Sequence, residues 1–100
     1  MISCFIRYEL EPYTADKFAK YARVWNEAIP RCGGRLVGYY APHEGSLTTA
    51  YAIIEFESLG AYEAYRARLR EDAQGRANFE FARREKFIRI EERQFLKRVE

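Results

Sequence analysis

His43 is the one histidine in this 100-residue chain, and it sits beside Pro42, Glu44 and Gly45. Imidazole changes charge near neutral pH, so His43 is a candidate general base or haem ligand, while a solvated loop histidine is the plainer reading. A single histidine with no visible nucleophile or acid beside it gives no Ser-His-Asp or Cys-His triad. Glu55 is the second candidate for moving a proton. Its strand position also lets it pair with Arg7, as an interface ion pair or as a ligand contact. Cys4 and Cys32 lack the spacing of a zinc site or redox pair, and no metal-ligand cluster is present. Gly33-Gly34 precedes a strand, where amides would not converge on a phosphate as they do at a helix N-terminus. No metal or cofactor is expected.

The elements that must position these groups centre on the stretch from Gly34 to Ser58. Arg35–Tyr40 and Thr49–Glu57 are rich in β-branched and aromatic residues, and Ala41-Pro42-His43-Glu44-Gly45-Ser46 between them carries turn formers. That predicts a hairpin with a long loop. Before it, Ile2–Leu10 alternates as a strand, and Pro12 ends it. Thr14 is a plausible N-cap for a helix whose stripe is Phe18, Tyr21, Ala22, Trp25 and Ile29, stopped by Pro30 and the two glycines. After the hairpin, Ser58 is a second N-cap candidate, and Leu59, Tyr62, Tyr65, Arg66 and Leu69 repeat at helical spacing towards Gly75. Arg76–Lys86 predicts a short third helix. Phe87–Val99 predicts a last strand with a wholly polar middle, Glu91–Gln94.

The order β-α-β-β-α-(α)-β predicts an α+β, ferredoxin-like single domain: a four-stranded antiparallel sheet with its main helices on one face. The first and third strands are then central neighbours. Period-two alternation sends Ile6, Tyr8, Ala52, Ile54 and Phe56 under the helices. Phe5, Arg7, Glu9, Tyr51, Ile53 and Glu55 point to the open face. Phe5, Arg7, Tyr51 and Ile53, with Tyr39, are the candidate ligand-binding residues, although packing between sheets explains the aromatics equally well. An apolar open face marks an interface or ligand site. If a second copy packed its own open face there about a two-fold axis, each sheet would cover the other.

Gly34-Arg35-Leu36-Val37-Gly38-Tyr39-Tyr40, then Glu44-Gly45-Ser46-Leu47, then Phe56-Glu57-Ser58-Leu59, resembles the central block of the NIPSNAP family. Leu10-Glu11-Pro12 with Asp16 and Phe18 is similar to the opening of that family's first helix. The resemblance spans nearly the whole chain and implies a dimeric α/β barrel, in which two ferredoxin-like subunits join sheet to sheet. It implies no single activity, because proteins of this barrel include cofactor-independent monooxygenases, haem-degrading enzymes and stress-responsive proteins. Many family members have Arg in the first strand where this chain has Ile6, and often His and Trp in the third where it has Ala52 and Ile54. Roles resting on those side chains do not carry over.

Composition excludes several classes. A chain that is 48% hydrophobic and 16% aromatic is not disordered, and 17 basic against 15 acidic residues is weak support for a polyanion partner. No signal-like or membrane-length apolar run occurs, so a reduced, cytoplasmic protein with free thiols is expected, without membrane or nucleic-acid partners. The competing class is an RNA-recognition motif, whose third-strand signature Tyr51-Ala52-Ile53-Ile54-Glu55-Phe56 resembles. Its open-face aromatics stack bases. Ile53 replaces one stacking aromatic, however, Thr49-Ala50 replaces the basic-glycine start, and the preceding loop has no lysine or arginine. The favoured expectation is a homodimer binding a small apolar or aromatic molecule, with oxygenase or isomerase chemistry as its enzymatic form.

Overall fold

The computed structural model describes all residues from Met1 to Glu100. The elements run β1 (Ile2–Leu10), α1 (Ala15–Arg31), β2 (Arg35–Tyr40), β3 (Thr49–Phe56), α2 (Leu59–Glu71), α3 (Ala73–Glu85) and β4 (Ile88–Leu96). The four strands form one antiparallel sheet in the order β2-β3-β1-β4. This is the expected ferredoxin-like α+β arrangement, with β1 and β3 at its centre. Cys4, Ile6, Tyr8 and Leu10 of β1 and Ala50, Ala52, Ile54 and Phe56 of β3 are all buried beneath the helices. Phe18, Tyr21, Trp25 and Ile29 meet them from α1. Each large apolar side chain so buried stabilises the fold by about 1.5–3 kcal/mol before entropy is set against it.

The end of α1 shows why Gly33 and Gly34 are where they are. Pro30 does not stop the helix. The chain continues to Arg31, and Gly33, at φ 105°, closes it in the left-handed conformation that a Cβ disfavours. The Gly34 N–H donates to the Ile29 carbonyl at 3.0 Å and the Gly33 N–H to Pro30 at 3.2 Å, which is the Schellman closure. Gly34 then passes so close to the core that a Cβ would lie 2.9 Å from Ile29 Cγ2 and 3.1 Å from Ile54 Cγ2.

Capping differs at two helices from what the sequence predicts. The Thr14 hydroxyl does not cap α1 but donates to the Glu11 carbonyl at 2.7 Å. Ser58 does cap α2, accepting from the Ala61 N–H at 3.1 Å. Gly75 does not end α2, because Asp72 ends it and caps α3 in the same residue, accepting from the Gly75 N–H at 2.8 Å. The Asp72 carboxylate also takes two hydrogen bonds from Arg31, at 2.9 and 2.8 Å, so the α2–α3 corner is tied to the end of α1. Deeper in the same contact, buried Asn78 donates to the Tyr21 carbonyl at 2.9 Å and docks α3 on α1.

An internal chamber and an open sheet face

The sheet presents two surfaces of different chemistry. On the open face, Phe5 stands opposite Ile53 and Arg7 opposite Tyr51, as alternation requires. Tyr40, Ile90 and Leu96 join them from the two edge strands, opposite Tyr51, Glu9 and Ser3. Arg7 and Glu55 do not pair. Arg7 lies across from Glu92 of β4, donating from Nε to its carboxylate at 2.7 Å, and also reaches Glu9 at 3.2 Å. Glu55 is opposite Ser3 and Arg35, and its ion pair is with Arg35 at 3.5 Å. The two residues stand four apart along their own strands' register, too far for a contact when neighbouring strands bring only opposed residues together. Glu9 is held below the usual carboxylate range by hydrogen bonds from Thr49 and Thr48 and by Arg7. Phe5, Arg7 and Tyr51 border a shallow depression on this face with Glu92, Gln94 and Leu96.

Beneath the other face lies a chamber of about 350 Å³, at the lower end of the range of small-molecule sites. Twelve of the fifteen residues lining it are hydrophobic. Cys4, Ile6 and Ile54 of the sheet form its floor, with Tyr21, Trp25 and Ile29 on the α1 side and Tyr65 and Leu69 on the α2 side. On its β4 side the strand offers Glu91 and Arg93 to the lining in place of core side chains.

Its polar groups gather at one place. Tyr62 and Arg66 on α2 and Glu91 and Arg93 on β4 line the chamber together. The Tyr62 hydroxyl accepts from Arg66 Nη1 at 2.8 Å and from Arg93 Nη1 at 3.0 Å, and Arg93 also donates to Glu91. Phe95 packs edge-on against the Tyr62 ring, with centroids 4.7 Å apart. Partial burial works against the charge on Arg93, but the Tyr62 hydrogen bond and Glu91 outweigh it and hold the guanidinium protonated above its ordinary range. Further in, the Tyr8 and Tyr39 hydroxyls share a hydrogen bond at 3.3 Å. Burial raises both phenols, pushes Tyr21 up to about 12 and raises the Cys4 thiol, so these groups are neutral donors and acceptors at physiological pH.

The candidate residues of the sequence thus fall into three places. Tyr39 lines the chamber, on the opposite face from Phe5, Arg7, Tyr51 and Ile53. An extra residue in β2 between Leu36 and Gly38 shifts the register and puts Tyr39 opposite buried Ala52. Glu55 stays on the open face. His43 is exposed in the β2–β3 loop and does not line the chamber. Sequence reasoning missed Cys4, Tyr21, Trp25, Tyr62, Arg66, Glu91 and Arg93 as chamber residues. The available signal was Arg66, a charge inside an otherwise apolar helical stripe.

Fold and chamber together define a ferredoxin-like α+β domain with a partly open compartment lined mostly by hydrophobic residues, with Glu91 and Arg93 of its last strand in the lining. The chain matches the NIPSNAP family over residues 3–100 and belongs to that family. Its structure is similar to that of protein Atu4242 from Agrobacterium tumefaciens, with a TM-score of 0.87, 24% identity, and coverage of 99% of this chain and 94% of that one. A NIPSNAP-like domain protein from Burkholderia xenovorans gives a TM-score of 0.78 at 25% identity, covering 98% of this chain and 84% of that one. A putative antibiotic biosynthesis monooxygenase from Nitrosomonas europaea shares the fold over the whole of both chains, with a TM-score of 0.75 and 9% identity. No curated protein matches the sequence.

Proposed function

We propose that this NIPSNAP protein is a homodimer whose subunits each bind a small, mainly apolar or aromatic molecule in the chamber between sheet and helices. The observation that carries the reading is the chamber itself, about 350 Å³ lined by twelve hydrophobic residues out of fifteen. A partly open concavity of that size, lined mostly by hydrophobic residues, lets a small molecule bury much of its surface. The open face, with Phe5, Tyr51 and Ile53 at its centre, is the surface on which a second copy docks. Glu9, Glu55 and Glu92 on that face disfavour a nucleic-acid strand there.

Binding without turnover is the reading the side chains support. Oxygenase or isomerase chemistry without a cofactor needs a proton acceptor beside the substrate. His43 and Glu55 do not line the chamber, Glu91 is engaged by Arg93, and burial holds Tyr8, Tyr21, Tyr39, Tyr65 and Cys4 protonated. Trp25, the single tryptophan, lines the chamber and reports on its occupant. Titration with small aromatics such as 1-methylnaphthalene should change Trp25 fluorescence saturably. Ile6→Phe, which extends a floor residue into the space, should abolish the response with little change in melting temperature. Absence of saturation across the panel, or undiminished affinity in Ile6→Phe, would refute the proposal.

A further inference from the structure

We infer that the chamber selects a molecule with an apolar or aromatic body and one anionic group, the anion seated between Arg93 and Tyr62 at the mouth. This rests on the binding reading above and specifies the ligand class. The charged residues lining the chamber are Arg66, Arg93 and Glu91, two cations against one carboxylate. Both guanidiniums donate to the same phenolic oxygen, that of Tyr62, at 2.8 and 3.0 Å. With its oxygen accepting twice, the Tyr62 hydroxyl keeps its own proton to donate. Glu91 answers Arg93 alone and leaves a single positive charge in excess. Arg93 is less than a third exposed by side chain, where a charge is screened less than on an open surface.

The rest of the lining is suited to the body of such a molecule. It supplies aromatic walls, neutral hydroxyls and no second carboxylate that would repel an anion. The Trp25 Nε1–H is buried against the Tyr21 side chain and turned away from the accessible lining, so the indole contributes its ring to the wall. The ligand class is therefore an acid with an aromatic or apolar body.

The test compares three probes of one shape by Trp25 fluorescence and calorimetry: naphthalene-1-carboxylate, 1-methylnaphthalene and 1-naphthylmethylammonium. The carboxylate should bind about ten- to a hundredfold tighter than the neutral probe, as expected for a charge-assisted hydrogen bond, with the cation weakest. Added salt should weaken the carboxylate alone. Arg93→Met should bring the carboxylate down to the affinity that the neutral probe shows for the same variant. Tyr62→Phe should reduce the preference by a smaller factor, and thermal melts establish that both variants are folded. Neutral and anionic probes binding equally, or a preference surviving Arg93→Met, would overturn the inference and leave the chamber reading standing. If no probe binds, both fall.

Discussion

Ile53→Glu is expected to split the proposed dimer while leaving each copy folded. Phe5, Tyr40, Tyr51, Ile90 and Leu96 on the open face are each between 37% and 51% exposed. With side chains of roughly 150–200 Å², that leaves about 400 Å² of apolar surface on each copy for a partner to cover. Covering both copies contributes about 20 kcal/mol at 25 cal/mol per Å². Lost translational and rotational freedom offsets about 4–15 kcal/mol of it, so a stable dimer is physically reasonable. Ile53 stands between Phe5 on β1 and Gly38 on β2, with the Tyr40 ring folded over the glycine. The face already holds Glu9, Glu55 and Glu92 against Arg7 and Arg35, so an added carboxylate finds no spare cation. Two-fold symmetry applies the change twice. Losing about 2 kcal/mol of burial at each copy raises the dissociation constant by about a thousandfold before charge repulsion is counted. Sedimentation velocity over a wide range of protein concentration reads the outcome, with circular dichroism to show that Ile53→Glu keeps its fold. A monomeric wild type, or a variant that dimerises as tightly as the wild type, would refute the reasoning.

Two further predictions concern the frame that holds the chamber. Gly34→Ala should destabilise by about 1–3 kcal/mol through overpacking, since its methyl would crowd Ile29 and Ile54. Both isoleucines line the chamber and have room to yield, which places the cost towards the lower end; an unchanged urea midpoint would contradict the close approach. Asp72 is held below its ordinary value of 3.8, chiefly by Arg31 and then by the Gly75 N–H, and Glu9 below 4.5. Depressed carboxylates contribute stability that is present above their unfolded values and lost as pH falls through the folded ones. Melting temperature should therefore hold down to about pH 5 and drop below about pH 4. Asp72→Asn should melt lower than wild type at neutral pH and show a shallower acid decline, and identical curves would remove the α1–α3 tie from the account.

The element order, the helical stripe of Phe18, Tyr21, Trp25 and Ile29, and the covered parity of β1 and β3 were legible in the sequence, because periodicity is a local property of the chain. So was the family. Each of those signals repeats over several residues and survives an error of one or two at an element's end. What only the tertiary structure decided depends on pairings between distant segments. One extra residue in β2 moves Tyr39 from the open face into the chamber, and no local pattern announces that shift. Arg7 meets Glu92 instead of Glu55 because the register of β4 on β1 is set by the whole sheet. The Asp72 carboxylate, besides capping α3 locally, binds Arg31, 41 positions earlier, which only the assembled fold brings beside it. The polar middle of β4, uninformative as a strand pattern, divides by the same register: Glu92 and Gln94 go to the open face, while Glu91 and Arg93 form the chamber's charged mouth. A one-residue slip in pairing exchanges those two sets, so their chemistry is fixed only when the sheet is assembled.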